Sequence, residues 1–301
     1  MTALDAGALA DLKARQRTMI SVCLPARNEE ATVGHIVATV RRQLVEGVAL
    51  VDEILVIDDG SRDATAEAAR WEGATVHSVA DIFPDAGNGS GKGNALWLSL
   101  FAATGDIVCW VDADVRNFKA DFVTRLVGPL LTEPDVGFVK GYYHRPLFGR
   151  PTGGGRVTEL VTRPLLSALF PHLTHIVQPL GGEYAGRRTL LETVPFVEGY
   201  GVDLGLLIDL SAAFGVGAIR QADLGVREHR NRQADELGPM GMEMLLTGLR
   251  RVGVGRAELP STLVRFDEHH DKVLVPVEAR ERPPWITIPA YRAKFDKEPA
   301  A

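Results

Sequence analysis

The chain has 301 residues, 46% hydrophobic and 24% charged, with a formal net charge of −6. That is the balance of an ordinary globular protein, long enough for one large or two modest domains, and its acidity argues against a general nucleic-acid binder. No run approaches the roughly 18 apolar residues that cross a bilayer, and "MTALDAGALADLKARQRT" lacks the apolar core of a secretory signal, so a soluble cytoplasmic protein is expected. Cys23 and Cys109 both sit inside apolar runs ("ISVCLP", "IVCWV") and read as buried thiols, since two cysteines build neither a disulfide framework nor a zinc site.

Strand and helix patterns alternate through the first half. "MISVCLP" is a short buried strand. "NEEATVGHIVATVRRQL" has helical spacing, with Asn28 as its N-cap. "EILVIDDGS" is a second strand, "DATAEAARWEG" a helix stopped by Gly73, and "ATVHSVA" a third strand. "KGNALWLSLFAAT" is a helix leading into "DIVCWVDAD". This alternation predicts a parallel, doubly wound α/β sheet, whose ligands bind at the carboxyl ends of its strands. Pro25-Ala26, Asp58-Asp59 and Asp112-Ala-Asp114 all fall at such ends.

The second half is less regular. "VGFVKGYYHRPL" reads as a strand and "TGGGRVTELVTRPLLSALF" as a Gly-rich loop opening a helix. "GGEYAGRR" is a short strand or a turn. "VPFVEGYGVDLGLLIDLSAAFG" holds a helix, and "GAIRQADLGVREHRNR" a strand and a basic loop. From about Leu259 the chain is rich in Pro and charge and reads as a loosely packed arm.

Four motifs bear on chemistry. The apolar strand "IVCWV" ends in Asp112-Ala-Asp114, and because strand residues alternate sides Asp112 and Asp114 point the same way and repel unless something positive lies between them. Mg²⁺ or Mn²⁺ suits such hard oxygen donors, while a solvated strand end is the bland alternative. "DADV" also fits a D-x-D-x-[TV] phosphatase pattern, with the first acid as nucleophile, but that leaves the other strand ends unexplained. "DAGNGSGKGNAL" fails the P-loop pattern, because Gly93 follows Lys92 and Ala86 replaces the first glycine; it reads as a loop bringing Lys92 to a diphosphate, or as surface. "TGGGRVTEL" offers an anion site at Arg156 and Thr158. "GVREHRNR" surrounds His229 with arginines, where one imidazole could be a metal ligand but is more often structural.

Together, "LPARNEEATV", "VIDDGSRDAT", "GKGNAL" and "WVDADV" resemble the nucleotide-sugar half of GT-A glycosyltransferases. "GGGRVTELVTRPLL", "QPLGGEYAGRR", "GYGVDLGLLID" and "LGVREHRNR" are more specific. They resemble the glucosyl-3-phosphoglycerate synthases, with the mannosyl-3-phosphoglycerate synthases beside them. The resemblance implies a GT-A fold, Rossmann-like, with a mostly parallel sheet. It implies a nucleotide-sugar-binding half over residues 1–117, a metal- and acceptor-binding half over 118–258, and an arm over 259–301. It also implies a homodimer.

The activity implied is a metal-dependent, retaining transfer of a hexose from a nucleotide diphosphate to the 2-hydroxyl of 3-phosphoglycerate. Pro25, Ala26, Arg27 and Glu29 would frame the base and ribose, with Asp59 and Ser61. Lys92 would serve the diphosphate or sugar. Asp112 and its neighbour Ala113 would meet ribose or sugar, with Leu180 and Gly182 near the transferred sugar. Asp114 and His229 would hold Mg²⁺ or Mn²⁺, and Gly155, Arg156, Val157 and Thr158 would form the acceptor site. Asp112, Asp114, Asp203 and Arg227 would be the catalytic set. Two departures bear on specificity. Asp203 stands where the glucosyl enzymes carry Glu, and Arg27 where they often carry Leu, which leaves open glucose against mannose and uridine against guanosine. A sensor that binds a nucleotide sugar without transfer is the alternative of another class.

Overall fold

The computed structural model describes residues 5–87, 89–144, 146–147, 150–153, 155–228, 234–255 and 259–296. Its strands, in chain order, are β1 (Ile20–Ala26), β2 (Glu53–Asp58), β3 (Thr75–Ser78), β4 (Ile107–Trp110) and β5 (Phe138–His144). They continue with β6 (Pro146–Leu147), β7 (Arg150–Gly153), β8 (Tyr184–Arg187), β9 (Phe196–Val197) and β10 (Ile219–Val226). The last are β11 (Thr262–Phe266), β12 (Lys272–Pro276) and β13 (Glu281–Arg282).

Seven strands form one sheet in the order β10-β5-β8-β4-β1-β2-β3. Every pairing in it is parallel except those of β8, which runs against both β4 and β5. The apolar runs are continuous because both faces are covered, as a largely parallel sheet requires. Side chains alternate between two cores: Val22, Leu24, Ile107 and Cys109 join one, with the helices Ala6–Gln16, Val33–Val40 and Asp121–Thr132. Cys23, Val108 and Trp110 join the other, with the helices Gly91–Ala102 and Val202–Phe214. Both thiols are free and fully buried, and burial pushes that of Cys23 up to about 12.

Three expectations need correction. The helix that follows β1 starts at Val33, with Thr32 at its N-cap. Asn28 instead takes a left-handed conformation (φ 58°), and its Oδ1 accepts from Arg62 N–H at 2.8 Å, so it laces two loops together. β4 ends at Trp110, so Asp112 and Asp114 lie in the turn beyond it and strand alternation does not orient them.

The tail is only partly loose. β11 and β12 form an exposed hairpin, but β13 pairs with β9, and Trp285 and Tyr291 are fully buried. The Trp285 ring stacks on Trp97 at 3.8 Å and 12°, and the two indoles donate to backbone carbonyls of each other's segments.

Candidate active site

Chain order around β1 sets the location. From β1 the sheet grows outward through β2 and β3, then returns to place β4 on the other side of β1. The crevice between the carboxyl ends of β1 and β4 is the switch point where such sheets bind ligands. A cavity of about 400 Å³ opens there. Because β8 is antiparallel, its amino end, with Gly182 and Glu183 just before it, reaches the same edge.

Cations and anions alternate across its floor. Lys92, in the first turn of the Gly91–Ala102 helix, lies 2.9 Å from Asp112 Oδ1 and 3.3 Å from Asp203 Oδ1. Burial alone would depress the Lys92 ammonium, but Asp112 and Asp203 outweigh it and hold it above its ordinary value. Arg227, just past β10, places Nη2 2.8 Å from Asp112 Oδ2 and 2.7 Å from Asp114 Oδ1. Its Nε lies 3.0 Å from the fully buried Glu183. Burial opposes this charge too, but Glu183, Tyr143 and the two aspartates keep the guanidinium well above its ordinary value.

Asp59 holds the rim. Its backbone N–H donates to Ala26 O, and its Oδ2 accepts from Gly91 N–H at 3.1 Å and lies 3.7 Å from Arg27 Nη1. Burial raises its carboxyl above the usual range, against the pull of Gly91 and Arg27.

The cavity is lined by Pro25, Ala26, Arg27, Glu29, Asp59, Lys92, Asp112, Ala113, Asp114, Leu180, Asp203 and Arg227. Gly155, Arg156, Val157 and Thr158 close its other side, with Gly155 at φ 82°. Ser61 and Gly182 are not in this lining. Ser61 Oγ accepts from Asn28 N–H at 3.0 Å, behind the rim. Gly182 lies against Asp112, and a β-carbon there would collide with its carboxylate. His229 lies outside the described residues.

Sequence reasoning missed several partners. Tyr200 and Met244 line the cavity, and the Tyr200 N–H donates to Glu243 Oε2 at 2.7 Å. Glu183 was visible only as the acid in "GGEYAG". Lys140, inside β5, carries a fully buried ammonium that donates to Asp203 O at 3.3 Å and sits 4.2 Å from the Tyr184 ring centroid. Burial pulls it down to about 8.

The site fits a divalent cation by donor type. Asp112 and Asp114 present hard oxygens to one point, marked by Arg227 Nη2. Among the described residues no cluster of three or more His, Cys, Asp or Glu gathers. The remaining positions would therefore suit phosphate oxygens and water, as is usual for Mg²⁺.

A mostly parallel sheet with a carboxylate pair at its switch point, facing buried cations, is the arrangement of a glycosyltransferase of the GT-A kind, and the comparisons bear out that class. The profile of Glycosyl transferase family 2 matches residues 21–192. The glucosyl-3-phosphoglycerate synthase of Petrotoga mobilis is 46% identical, across 96% of this chain and 93% of that protein. That of Mycobacterium tuberculosis is 46% identical, across 88% of this chain and 84% of that protein. The crystal structure of the latter enzyme with Mn²⁺ and uridine-diphosphate-glucose superposes with a TM-score of 0.86 at 44% identity, covering 95% of each chain. Its complex with Mn²⁺, uridine-diphosphate and glucosyl-3-phosphoglycerate gives 0.85 at 44% identity, covering 95% of this chain and 96% of that one. The chain belongs to the glucosyl-3-phosphoglycerate synthase family.

Proposed function

We propose that this protein transfers glucose from UDP-glucose to the 2-hydroxyl of 3-phosphoglycerate, releasing UDP and glucosyl-3-phosphoglycerate. The observation that carries this reading is one cavity in which the Asp112, Asp114, Lys92 and Arg227 cluster faces the Gly155–Thr158 turn. A donor diphosphate and an anionic acceptor each need a cationic contact, and this arrangement offers one on each side. The names of relatives at 46% identity, and the ligands of the M. tuberculosis complexes, support the same substrates.

In this reading residues 1–117 form the nucleotide-sugar-binding half, and 118–258 form the metal- and acceptor-binding half and complete the sugar pocket. Pro25, Ala26, Arg27, Glu29 and Asp59 frame base and ribose, with Ser61 bracing the rim. Lys92 meets the diphosphate, while Asp112, Ala113, Leu180 and Asp203 surround the sugar, with Gly182 bracing Asp112. Gly155, Arg156, Val157 and Thr158 orient the acceptor so that its hydroxyl faces the anomeric carbon. Asp114 and His229 would hold Mg²⁺ or Mn²⁺, with His229 assigned on the resemblance alone. When bound, that ion neutralises charge on the departing diphosphate. Asp112, Asp114 and Asp203 are each engaged by a cation and none stands out as a covalent nucleophile, so this reading takes attack on the same face, with retention.

UDP release is measured with Mg²⁺ and 3-phosphoglycerate, with UDP-glucose, GDP-glucose or GDP-mannose in parallel. Release that requires both UDP-glucose and acceptor is the expected result. Preference for GDP-mannose would replace the reading with mannosyl transfer, and binding without release would replace it with a sensor. We also propose a cytoplasmic homodimer. Val264 and Leu274 pair across the hairpin and are 47% and 58% exposed, which supports a covered face, and light scattering tests it. No helix among the described residues is long and apolar enough to cross a membrane.

A further inference from the structure

Arg282, in β13, lies outside the residues matched by the family profile, and the cavity lining does not include it. It is 9% exposed, and its guanidinium is spent on three separate segments of the site's donor side. Nη1 donates to Ala86 O at 2.7 Å and Nη2 to Gly87 O at 3.3 Å, which holds the loop before Lys92. Nε donates to Asn94 Oδ1 at 2.8 Å, in the first turn of the Lys92 helix. The same nitrogen lies 2.9 Å from Glu198 Oε1, two residues before Tyr200, and the guanidinium carbon sits 5.2 Å from the Trp97 ring centroid.

The glycine loop is shaped around this group. A β-carbon on Gly89 would fall inside the contact distance of Arg282 Nη2 and of Asn94 Oδ1. The other end of the loop is held by Asp59, which accepts from Gly91 N–H. The loop that sequence alone reads as a failed P-loop is thus pinned at both ends, and Lys92 is the next residue after the second pin. A planar guanidinium spreads five N–H donors over three nitrogens and so reaches these four acceptors on three segments, whereas an ammonium gathers its three donors at a single point.

We propose that Arg282 is a positioning residue for the donor: it holds the backbone at Ala86 and Gly87, packs against Gly89 and ties the first turn of the following helix through Asn94, and so places Lys92 for the nucleotide diphosphate. This rests on the reading of the cavity as a nucleotide-sugar site. It gives the C-terminal segment a part in donor binding.

The test is steady-state kinetics of the full chain and its Arg282→Lys, Arg282→Ala and Gly89→Ala variants, with UDP-glucose and 3-phosphoglycerate varied separately, beside melting curves. If the unaltered chain releases no UDP, the reading of the site fails, independently of Arg282. If it does, each variant is expected to raise the KM for UDP-glucose roughly tenfold or more, the scale of a displaced binding group, with the acceptor KM unchanged. The Arg282→Ala, Gly89→Ala double variant is expected to be little worse than either single one, because both break one contact. An unchanged donor KM would overturn the proposal. So would equal losses toward both substrates, or full multiplication in the double variant. If Arg282→Ala fails to fold, Arg282→Lys and Gly89→Ala still read the same contact.

Discussion

The Nη2 nitrogen of Arg227 lies 2.8 Å from Asp112 Oδ2, across 115 residues of sequence. The same nitrogen reaches Asp114, and Nε faces the buried Glu183. Removing one member of a buried ion cluster strands the others, which costs about 3–5 kcal/mol. Arg227→Ala is therefore expected to lose stability on that scale in urea unfolding. Arg227→Lys is expected to lose less, because it keeps the charge without the fork.

Asp114→Ala leaves Arg227 tied to Asp112 and Glu183, so the fold should persist. UDP release in a Mn²⁺ titration is expected to fall at least roughly 100-fold, the scale of one lost electrostatic stabiliser. Near-normal turnover would remove Asp114 from the metal site.

Gly182→Ala puts a methyl group where the Asp112 carboxylate lies. That carboxylate must then leave Lys92 and Arg227. A displacement near 1 Å at a reacting centre costs about 100-fold in rate, so kcat is expected to fall on that scale. Unchanged kcat would mean that Asp112 tolerates the shift.

Arg156→Ala removes the charged side chain of the Gly155–Thr158 turn. A hydrogen bond to a charged group is worth about 1.5–3 kcal/mol, so the KM for 3-phosphoglycerate is expected to rise roughly tenfold or more. The donor KM should stay constant; a shift in donor KM alone would move Arg156 to the other substrate.

Lys140 titrates near 8 in the folded protein, against 10.5 ordinarily, chiefly because it is buried; Asp203, Glu183 and Asp112 pull the other way and Lys92 adds to the fall. A lowered folded pKa means that the unfolded chain binds more protons between these values, so stability rises with pH there. The burial cost is in full force below pH 8. Lys140→Met should thus be more stable than the wild type at pH 7 by roughly 1–3 kcal/mol, an advantage that shrinks by pH 10. Denaturant midpoints at the two pH values test this, and a constant difference would refute it.

Much of this protein was written in local pattern. The alternation of apolar strands and helices is a matter of periodicity, so the cores of β1 to β4 and the helices Val33–Val40, Thr65–Trp71 and Gly91–Ala102 were legible, as were the buried cysteines, while "ATVHSVA" runs past the end of β3 into the short helix Val79–Ile82. The acids after β4, the glycines before Lys92 and the Gly155–Thr158 turn stand out because their residue types sit at strand and helix ends. Pattern misled where a short polar residue had two local uses, as with Asn28, whose side chain caps no helix but holds the Arg62 loop.

Only the tertiary structure decided what meets what. The antiparallel insertion of β8 between β4 and β5 carries Glu183 to the edge where Arg227 arrives from β10. Residues far apart in the chain stack Trp285 on Trp97 and set Arg282 beneath the glycine loop. Strand order and register govern these meetings. They follow from how two apolar faces are filled across the whole sheet, a global packing problem whose solution no short window of residues contains.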